Sequence, residues 1–524
     1  MEKSYKRIVF LNTLVNYALF IVTFITAIFT TRILFLGLGE VAYGFWVLVW
    51  SIFGYSLLLD FGFGTSVKKY TAEVIVTKDY KVYNKQISTV FSTYTVMSII
   101  IIIATVILQS HLQEIFKFPP DANLHYYRKV FVFLGIGVAL TFPTGTFQEI
   151  LNGLNKIYIG HSVKIVRQVI NVLGIWLIIK FNYGLIFIAI FSVLINFFTN
   201  IILAYFSYKL LPKLKIRLTN FDFSMLKEVI SFSFFAYLVM FANIIIHKTD
   251  QIVLGIMLGV SAVAIYQVGS RISDILNRVS GQFQASLTPI AATLFKDKQY
   301  QRLQDILLRS NKLITFIVVI NFIILTVLAK PILYVWLEIN DPRALQVAYI
   351  MNISVLLLII FRSGSSKVLL MTGHHKFLSK VAVVESFLNV GFSILFIKLM
   401  GIIGVAFGTL LPNIIISLFF IFPAGCKFSK VKPYYYISKI YLPIIVNSIL
   451  PVLVLLYFRN NISEATWNVG KLAYSSVAAA TIYIITGYLF ILNKQDRQKI
   501  KDITMSIIHK TRAVIFRKNL TIDE

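Results

Sequence analysis

Residues 184–217 read GLIFIAIFSVLINFFTNIILAYFSYKLLPKLKIR, and this stretch decides the fold class. The run from Gly184 to Tyr208 holds no charged side chain and exceeds the ~20 residues that cross a hydrocarbon core as helix. It stops at Lys209, Lys213, Lys215 and Arg217, a cationic block suited to anionic cytoplasmic headgroups. The pattern recurs along the chain. Comparable apolar segments are Ile8–Thr30, Ala42–Leu59, Ile87–Leu108, Val130–Ile150, Ile157–Ile179, Met225–Ile246 and Val260–Leu287. Further on come Leu313–Leu328, Leu345–Met371, Phe377–Ile397, Ile402–Phe422, Ile437–Tyr457 and Val469–Leu492. With Gly184–Tyr208 they predict an all-α polytopic membrane protein of about 14 transmembrane helices.

Basic residues crowd every second connection. Lys68, Lys69, Lys78, Lys81 and Lys85 lie in one, Lys156 in the next, and Lys296, Lys298 and Arg302 further on. Lys376 and Lys380, then Lys427, Lys430 and Lys432, continue the series. With the termini, about thirty cations fall on one side against about ten on the other, which marks the cytoplasmic loops. Both ends are therefore expected in the cytoplasm.

Composition closes other doors. Hydrophobic residues make up 58% of the chain and mean hydropathy is +0.80, above the roughly half-apolar makeup of a soluble domain. A net charge of +28 and pI near 9.9 would suggest nucleic acid in a soluble protein. Dispersed beside headgroups, that charge is explained by topology and membrane lipid, and no nucleic-acid partner is expected. The lone Cys426 leaves neither a disulfide framework nor a cysteine-rich zinc site. The first apolar run is too long for a signal-peptide core, so no cleaved leader is expected.

A shift of about 220 residues superimposes the chain on itself. It lays Leu38-Gly39 and Ala42 over Leu258-Gly259 and Ala262, Gly153 and Lys156 over Gly373 and Lys376, and Gly184 over Gly404. We read two pseudo-symmetric six-helix lobes around a central cavity, residues 1–212 and 220–426. A transmembrane helix pair at 434–492 and a basic tail at 493–524 follow. An even number of helices in each half gives both copies one orientation, as in parallel repeats that rock about a shared cavity.

Charges inside apolar segments cost at least a few kcal/mol at midplane, so each needs a partner, water or a task. Arg271 lies near mid-depth of its segment, with Asp274 and Arg278 at i+3 and i+7 on the same face. Lys164 and Arg167 share the fifth segment, Arg362 and Lys367 the tenth, and Glu385 the eleventh. Arg32 ends the first helix, and Lys248 with Asp250 ends the seventh. Arg32, Arg167, Lys248, Arg271, Arg278 and Arg362 are the candidates for lumenal cations that hold an anionic substrate, arginine being suited to bidentate phosphate. Snorkelling to an interface accounts for Lys164 and Lys367. Arg271 with Asp274 forms an internal ion pair on the alternative reading. The repeat offset also sets Arg167 opposite Glu385, and on the alternative reading these form an inter-lobe salt bridge that gates the cavity. Asp60, Asp250, Asp274 and Glu385 are the gating or ion-coupling candidates.

The stretch Leu58-Leu59-Asp60-Phe61-Gly62-Phe63-Gly64-Thr65 precedes Lys68-Lys69-Tyr70-Thr71-Ala72-Glu73. Its Asp-x-Gly-x-Gly-Thr pattern resembles a segment near the start of the polysaccharide transporter family. Leu38-Gly39 with Tyr43-Gly44 and Trp46 is similar to the same family, as is Thr249-Asp250 through Gly255. This family lies in the multidrug, oligosaccharidyl-lipid and polysaccharide exporter superfamily. The resemblance implies a flippase moving undecaprenyl-pyrophosphate-linked oligosaccharide across the membrane by alternating access, for capsule, O-antigen or exopolysaccharide. It also implies an ion gradient as the energy source; the polyprenyl-pyrophosphate glycan and membrane lipids are the expected partners, with glycan polymerase and glycosyltransferases as further candidates.

Enzyme signals are absent. Gly37-x-Gly39-x-x-Ala42 fits a dinucleotide pattern but follows no strand. No Walker loop occurs, and His374-His375 lacks the spacing of a helical zinc site. No catalytic residue, cofactor or metal is expected. After Leu492, Ile500, Ile503, Ile507 and Val514 recur among cations, as in a surface-lying amphipathic helix. Two rivals remain: a cation-coupled multidrug exporter, whose lumen should carry carboxylates, and a membrane glycosyltransferase or polymerase. The connection 109–129 is too short for the large outer loop of a polymerase.

Overall fold

The computed structural model describes residues 2–491 and Arg497, with the backbone alone over 2–6, 228–236, 279, 282–292 and 300. The described residues are almost entirely helical and form no strand. The first helices are α1 (Glu2–Gly54), α2 (Phe63–Thr77), α3 (Tyr80–Ser110), α4 (Leu124–Gly153), α5 (Ile157–Lys180) and α6 (Leu185–Leu210). Then come α7 (Phe223–Met257), α8 (Val260–Lys296), α9 (Tyr300–Val327), α10 (Ala329–Leu337), α11 (Pro342–Met371) and α12 (His375–Met400). The last are α13 (Ile402–Ile415), α14 (Phe422–Ser429), α15 (Leu442–Asn447), α16 (Ile449–Asn461) and α17 (Val469–Phe490).

Twelve stretches among the described residues are long and apolar enough to cross a membrane. The expected fourteen rests on counting the first stretch, Arg7–Asp60, as two crossings and adding α8, which is not among the twelve. The two-crossing count draws on the length of α1 and on its break. At 1.5 Å per residue the 53 residues of α1 would run roughly 80 Å, more than twice the hydrocarbon thickness. The run breaks at Gly39, whose φ of 77° is open to glycine and strained for other residues. Gly259, which the shift of about 220 residues lays over Gly39, has φ 101°.

Short polar side chains start several helices by accepting backbone N–H bonds. Asp79 takes those of Lys81 and Val82 at 3.1 Å, Asn123 that of Tyr126 at 3.1 Å, and Asn468 that of Lys471 at 2.9 Å.

Three sequence expectations need correction. The Asp60–Thr65 block interrupts helical structure rather than ending it: a 3₁₀ turn covers Tyr55–Asp60, Phe61 and Gly62 are left-handed, and α2 resumes at Phe63. Lys68 and Lys69 thus ride on a helix, not in a loop. Arg32 lies inside α1, before the Gly39 break. Lys248 and Asp250 lie inside α7, which runs on through Ile252, Val253 and Leu254 to Met257. The carboxylate does not end the helix because it finds hydroxyl partners there. The tail segment with Ile500, Ile503, Ile507 and Val514 lies outside the described residues.

The described residues pack as two compact units, 2–271, 341–351 and 374–416 in one, and 272–340, 352–373 and 417–491 in the other. In the first unit α4 packs on α3 and α6, α1 on α5, and α12 on α7 and α13. Its core includes Phe63, Tyr83, Ile87, Tyr94, Phe147 and Leu203. Outward faces stay apolar, as at Ile99, Ile103 and Phe198, the pattern of a surface solvated by lipid. In the second unit α16 packs on α17, and Phe422, Tyr441, Leu455, Trp467 and Tyr483 form the core.

The family-like motifs meet in the first unit. A Cβ on Gly44 would stand 2.0 Å from the backbone oxygen of Val260. Only glycine lets the second stretch of α1 lie against the start of α8 at this distance.

Candidate transport site

A cavity of about 320 Å³ opens within the first unit. Trp50, Phe53 and Gly54 come from α1, Ser56 and Leu57 from the 3₁₀ turn, and Thr141 and Phe142 from α4. Ser192 and Asn196 come from α6, and Lys248 from α7. The 3₁₀ turn at Tyr55–Asp60, where α1 stops, supplies part of this lining. Gly54 admits the lysine stem: a Cβ there would lie 3.0 Å from Lys248 Cε.

Arg167 reaches the wall of the same cavity from α5. Its Nη1 donates to Asn196 Oδ1 at 3.2 Å, so its contact is Asn196 and not the Glu385 suggested by the repeat offset. One ammonium on the lining and one guanidinium behind an amide give the cavity a cationic side in otherwise apolar surroundings. Two cationic groups on one side make such a site more favourable to an anion than to a cation. Arg32, Arg271, Arg278 and Arg362 are half-buried on their own helices and do not line this cavity.

Asp60, at the end of the 3₁₀ turn, accepts hydrogen bonds from Tyr94 Oη and from the backbone N–H of Gly64 at 3.4 Å. These bonds brace the helix break below the cavity. The Tyr55 and Thr249 hydroxyls hydrogen-bond to each other, tying the same turn to α7 at the residue between Lys248 and Asp250.

Asp250 is 4% exposed and is surrounded by hydroxyls. Tyr266 Oη donates to Oδ2 at 2.6 Å, Thr409 Oγ1 to Oδ2 at 2.8 Å, and Ser393 Oγ to Oδ1 at 3.3 Å. Asn389 Nδ2 in turn donates to Thr409 Oγ1 at 3.0 Å. Glu385, Asn389 and Ser393 lie four residues apart and are all buried on one face of α12. The constellation joins a buried carboxyl to hard oxygen atoms from α7, α8, α12 and α13. Such a donor set suits a proton or a small hard cation. Asp274 is half-buried on α8.

Sequence reasoning singled out Arg167, Lys248, Asp250 and Glu385 but missed Asn196, Tyr266, Asn389, Ser393 and Thr409. Their one sequence signal is weak: polar side chains in apolar helices, where an unsatisfied group is expensive.

The profile of a family described as polysaccharide biosynthesis protein matches residues 38–338, more than half of the chain. No curated protein matches the chain. Among solved structures, the lipid II flippase MurJ in an inward closed conformation is similar at a TM-score of 0.69 and 16% identity, covering 92% of this chain and 98% of that one. An inward-facing multidrug resistance MATE family transporter of the MOP superfamily is similar at a TM-score of 0.65 and 16% identity, covering 77% and 95%. MATE in a straight conformation gives a TM-score of 0.54 at 16% identity, covering 80% and 96%. At these identities the likeness is one of fold.

Proposed function

The chain belongs to the polysaccharide biosynthesis protein family, and from that membership we propose that it is a flippase for undecaprenyl-pyrophosphate-linked oligosaccharide. It works by alternating access in the bacterial cytoplasmic membrane, with both termini in the cytoplasm, and serves capsule, O-antigen or exopolysaccharide assembly. The observation that carries this reading is the cationic cavity inside an apolar helix bundle, with Lys248 on its lining and Arg167 behind Asn196. A pyrophosphate is the anion of a lipid-linked glycan, and its polyprenyl tail remains in the bilayer while the headgroup crosses. Arg32, Arg271, Arg278 and Arg362 are kept as further candidate contacts for the anionic substrate.

Coupling follows from α7. Lys248 and Asp250 are two residues apart on one helix, with Thr249 between them held by Tyr55. An ion that binds Asp250 strains or relaxes the contacts of α7 with Tyr266, Ser393 and Thr409. That displacement is felt at Lys248, so ion binding and headgroup release share one element. Asp60 braces the hinge, while Asp274 and Glu385 are the further acids in the coupling scheme. Glycan polymerase and glycosyltransferases are the partners before and after the transfer. A multidrug exporter of the same fold ranks second, because an ammonium on the lining repels organic cations.

Leaflet transfer of an undecaprenyl-pyrophosphate oligosaccharide in proteoliposomes tests the reading, with Lys248→Gln and Arg167→Gln alongside. Each substitution removes a charge-assisted contact and should lower transfer roughly tenfold or more. No wild-type transfer, under imposed ion gradients and with several glycans, would promote the exporter.

A further inference from the structure

The second unit holds a cavity of about 360 Å³ that shares no residue with the transport site. Lys330 and Tyr334 line it from α10, Asn340 from the turn beyond, Arg459 and Asn460 from the last turn of α16, and Glu464 from the turn into α17. Both connections, 328–342 and 459–468, are among the loops sparse in cations. On the positive-inside reading they lie on the face where a flipped glycan emerges.

The cleft is a built site. Lys330 Nζ donates to a carboxylate oxygen of Glu464, which joins α10 to the α16–α17 turn and neutralises both charges. Trp467 is 6% exposed and packs into the core beneath, fixing the same turn from below. A tryptophan at an interfacial belt would instead present its ring outward. Arg459 is half-buried, and neither it nor Asn340 nor Asn460 makes a side-chain hydrogen bond or ion pair among the described residues. Arg459 is favourably placed for the dipole of α16, but that role alone would not surround it with two unpartnered amides and a phenol. Tyr334 is 39% exposed and lines the cleft.

We propose that this cleft binds an anionic saccharide: the carboxylate of an acidic sugar on Arg459, its hydroxyls on Asn340, Asn460 and Glu464, and an apolar sugar face on Tyr334. The inference rests on the flippase reading for why a glycan is present at that face. The cavity falls within the roughly 300–1,000 Å³ of small-ligand sites. A planar guanidinium matches a carboxylate bidentately, and side-chain amides offer the paired donors and acceptors that vicinal hydroxyls require. A phosphatidylglycerol headgroup shares the anion and a vicinal diol but lacks the sugar ring whose apolar face Tyr334 would meet.

The test is isothermal titration of the full chain in zwitterionic nanodiscs with a soluble glucuronate-containing tetrasaccharide and with its carboxyl-reduced neutral counterpart. The acidic sugar should bind, and both carboxyl reduction and Arg459→Gln should weaken it roughly tenfold or more. Tyr334→Leu, which leaves the charges intact, should weaken both sugars and guards against a misfolded arginine variant. Equal binding by Arg459→Gln overturns the proposal. So does an absence of saccharide binding, or an Arg459-dependent uptake of phosphatidylglycerol that the saccharide does not displace. Leaflet transfer on the same preparation separates the two readings. Transfer without saccharide binding sinks only the cleft, whereas saccharide binding without transfer sinks only the flippase.

Discussion

Replacing Asp250 with asparagine separates charge from shape at the coupling site. Tyr266 and Thr409 both donate to Oδ2, at 2.6 and 2.8 Å, and Ser393 donates to Oδ1 at 3.3 Å. An asparagine that sets its carbonyl oxygen where Oδ2 lies keeps the two short bonds. Its amide then faces Ser393, whose hydroxyl can accept. At most one long hydrogen bond is lost, so folding should change by about 1 kcal/mol or less. A bound cation fares differently, because its counter-charge is gone. Removing one partner of a buried charge pair costs about 3–5 kcal/mol, on the order of 100- to 4,000-fold in ion affinity. The assay pairs leaflet transfer under imposed sodium or proton gradients with thermal unfolding at rising concentrations of each ion. Wild type should gain about 2.7 kcal/mol when the coupling ion reaches a hundred times its Kd. The Asp250→Asn variant should show no such gain and no acceleration by the gradient, with its baseline unfolding midpoint nearly unchanged. If it keeps both ion-dependent stabilisation and gradient-driven transfer, Asp250 only fastens four helices together and the coupling argument is wrong.

Gly44→Ala should destabilise the first unit by about 1–3 kcal/mol through overpacking, since the new Cβ would meet the Val260 backbone oxygen at 2.0 Å and the main chain has little room to yield. Thermal unfolding in detergent reads this directly, and an unchanged midpoint would mean the helices are less tightly apposed. At the start of α7, the Lys85 ammonium at 2.6 Å, then the Ser224 hydroxyl and backbone N–H, hold the Asp222 carboxyl well below the usual carboxylate range. A carboxyl depressed in the folded state stabilises fully above its unfolded value near 3.9, and that share is lost as pH falls through the lower folded value. Lys85→Ala should therefore be less stable than wild type at neutral pH, with the gap closing as pH drops below about 4. A gap that stays constant down to pH 3 would assign the effect to lost packing of the lysine stem.

The properties legible in the chain are those that each residue carries alone. Transfer into hydrocarbon is a sum over side chains, so Gly184–Tyr208 is a membrane helix wherever it sits. Partition of lysines such as Lys209 and Lys213 between loops sets topology in the same additive way. Gly39 and Gly62, quoted in the family-like motifs, take positive φ in the fold, a conformation open to glycine without strain. Even here propensity had limits. The charges of Lys248 and Asp250 suggested a helix end, whereas tertiary partners carry α7 on to Met257.

What the tertiary structure alone decided is pairing. Tyr266, Ser393 and Thr409 stand 16, 143 and 159 residues from Asp250 in sequence, and nothing local distinguishes them from other hydroxyls in apolar helices. Arg167 could be singled out as a costly charge, but its choice of Asn196 over Glu385 depends on how α5 and α6 meet. The same holds for the cavity around Lys248 and the cleft around Arg459, whose linings come from elements distant in the chain. A buried charge announces its cost in the sequence, whereas the group that offsets that cost is a property of the packed chain.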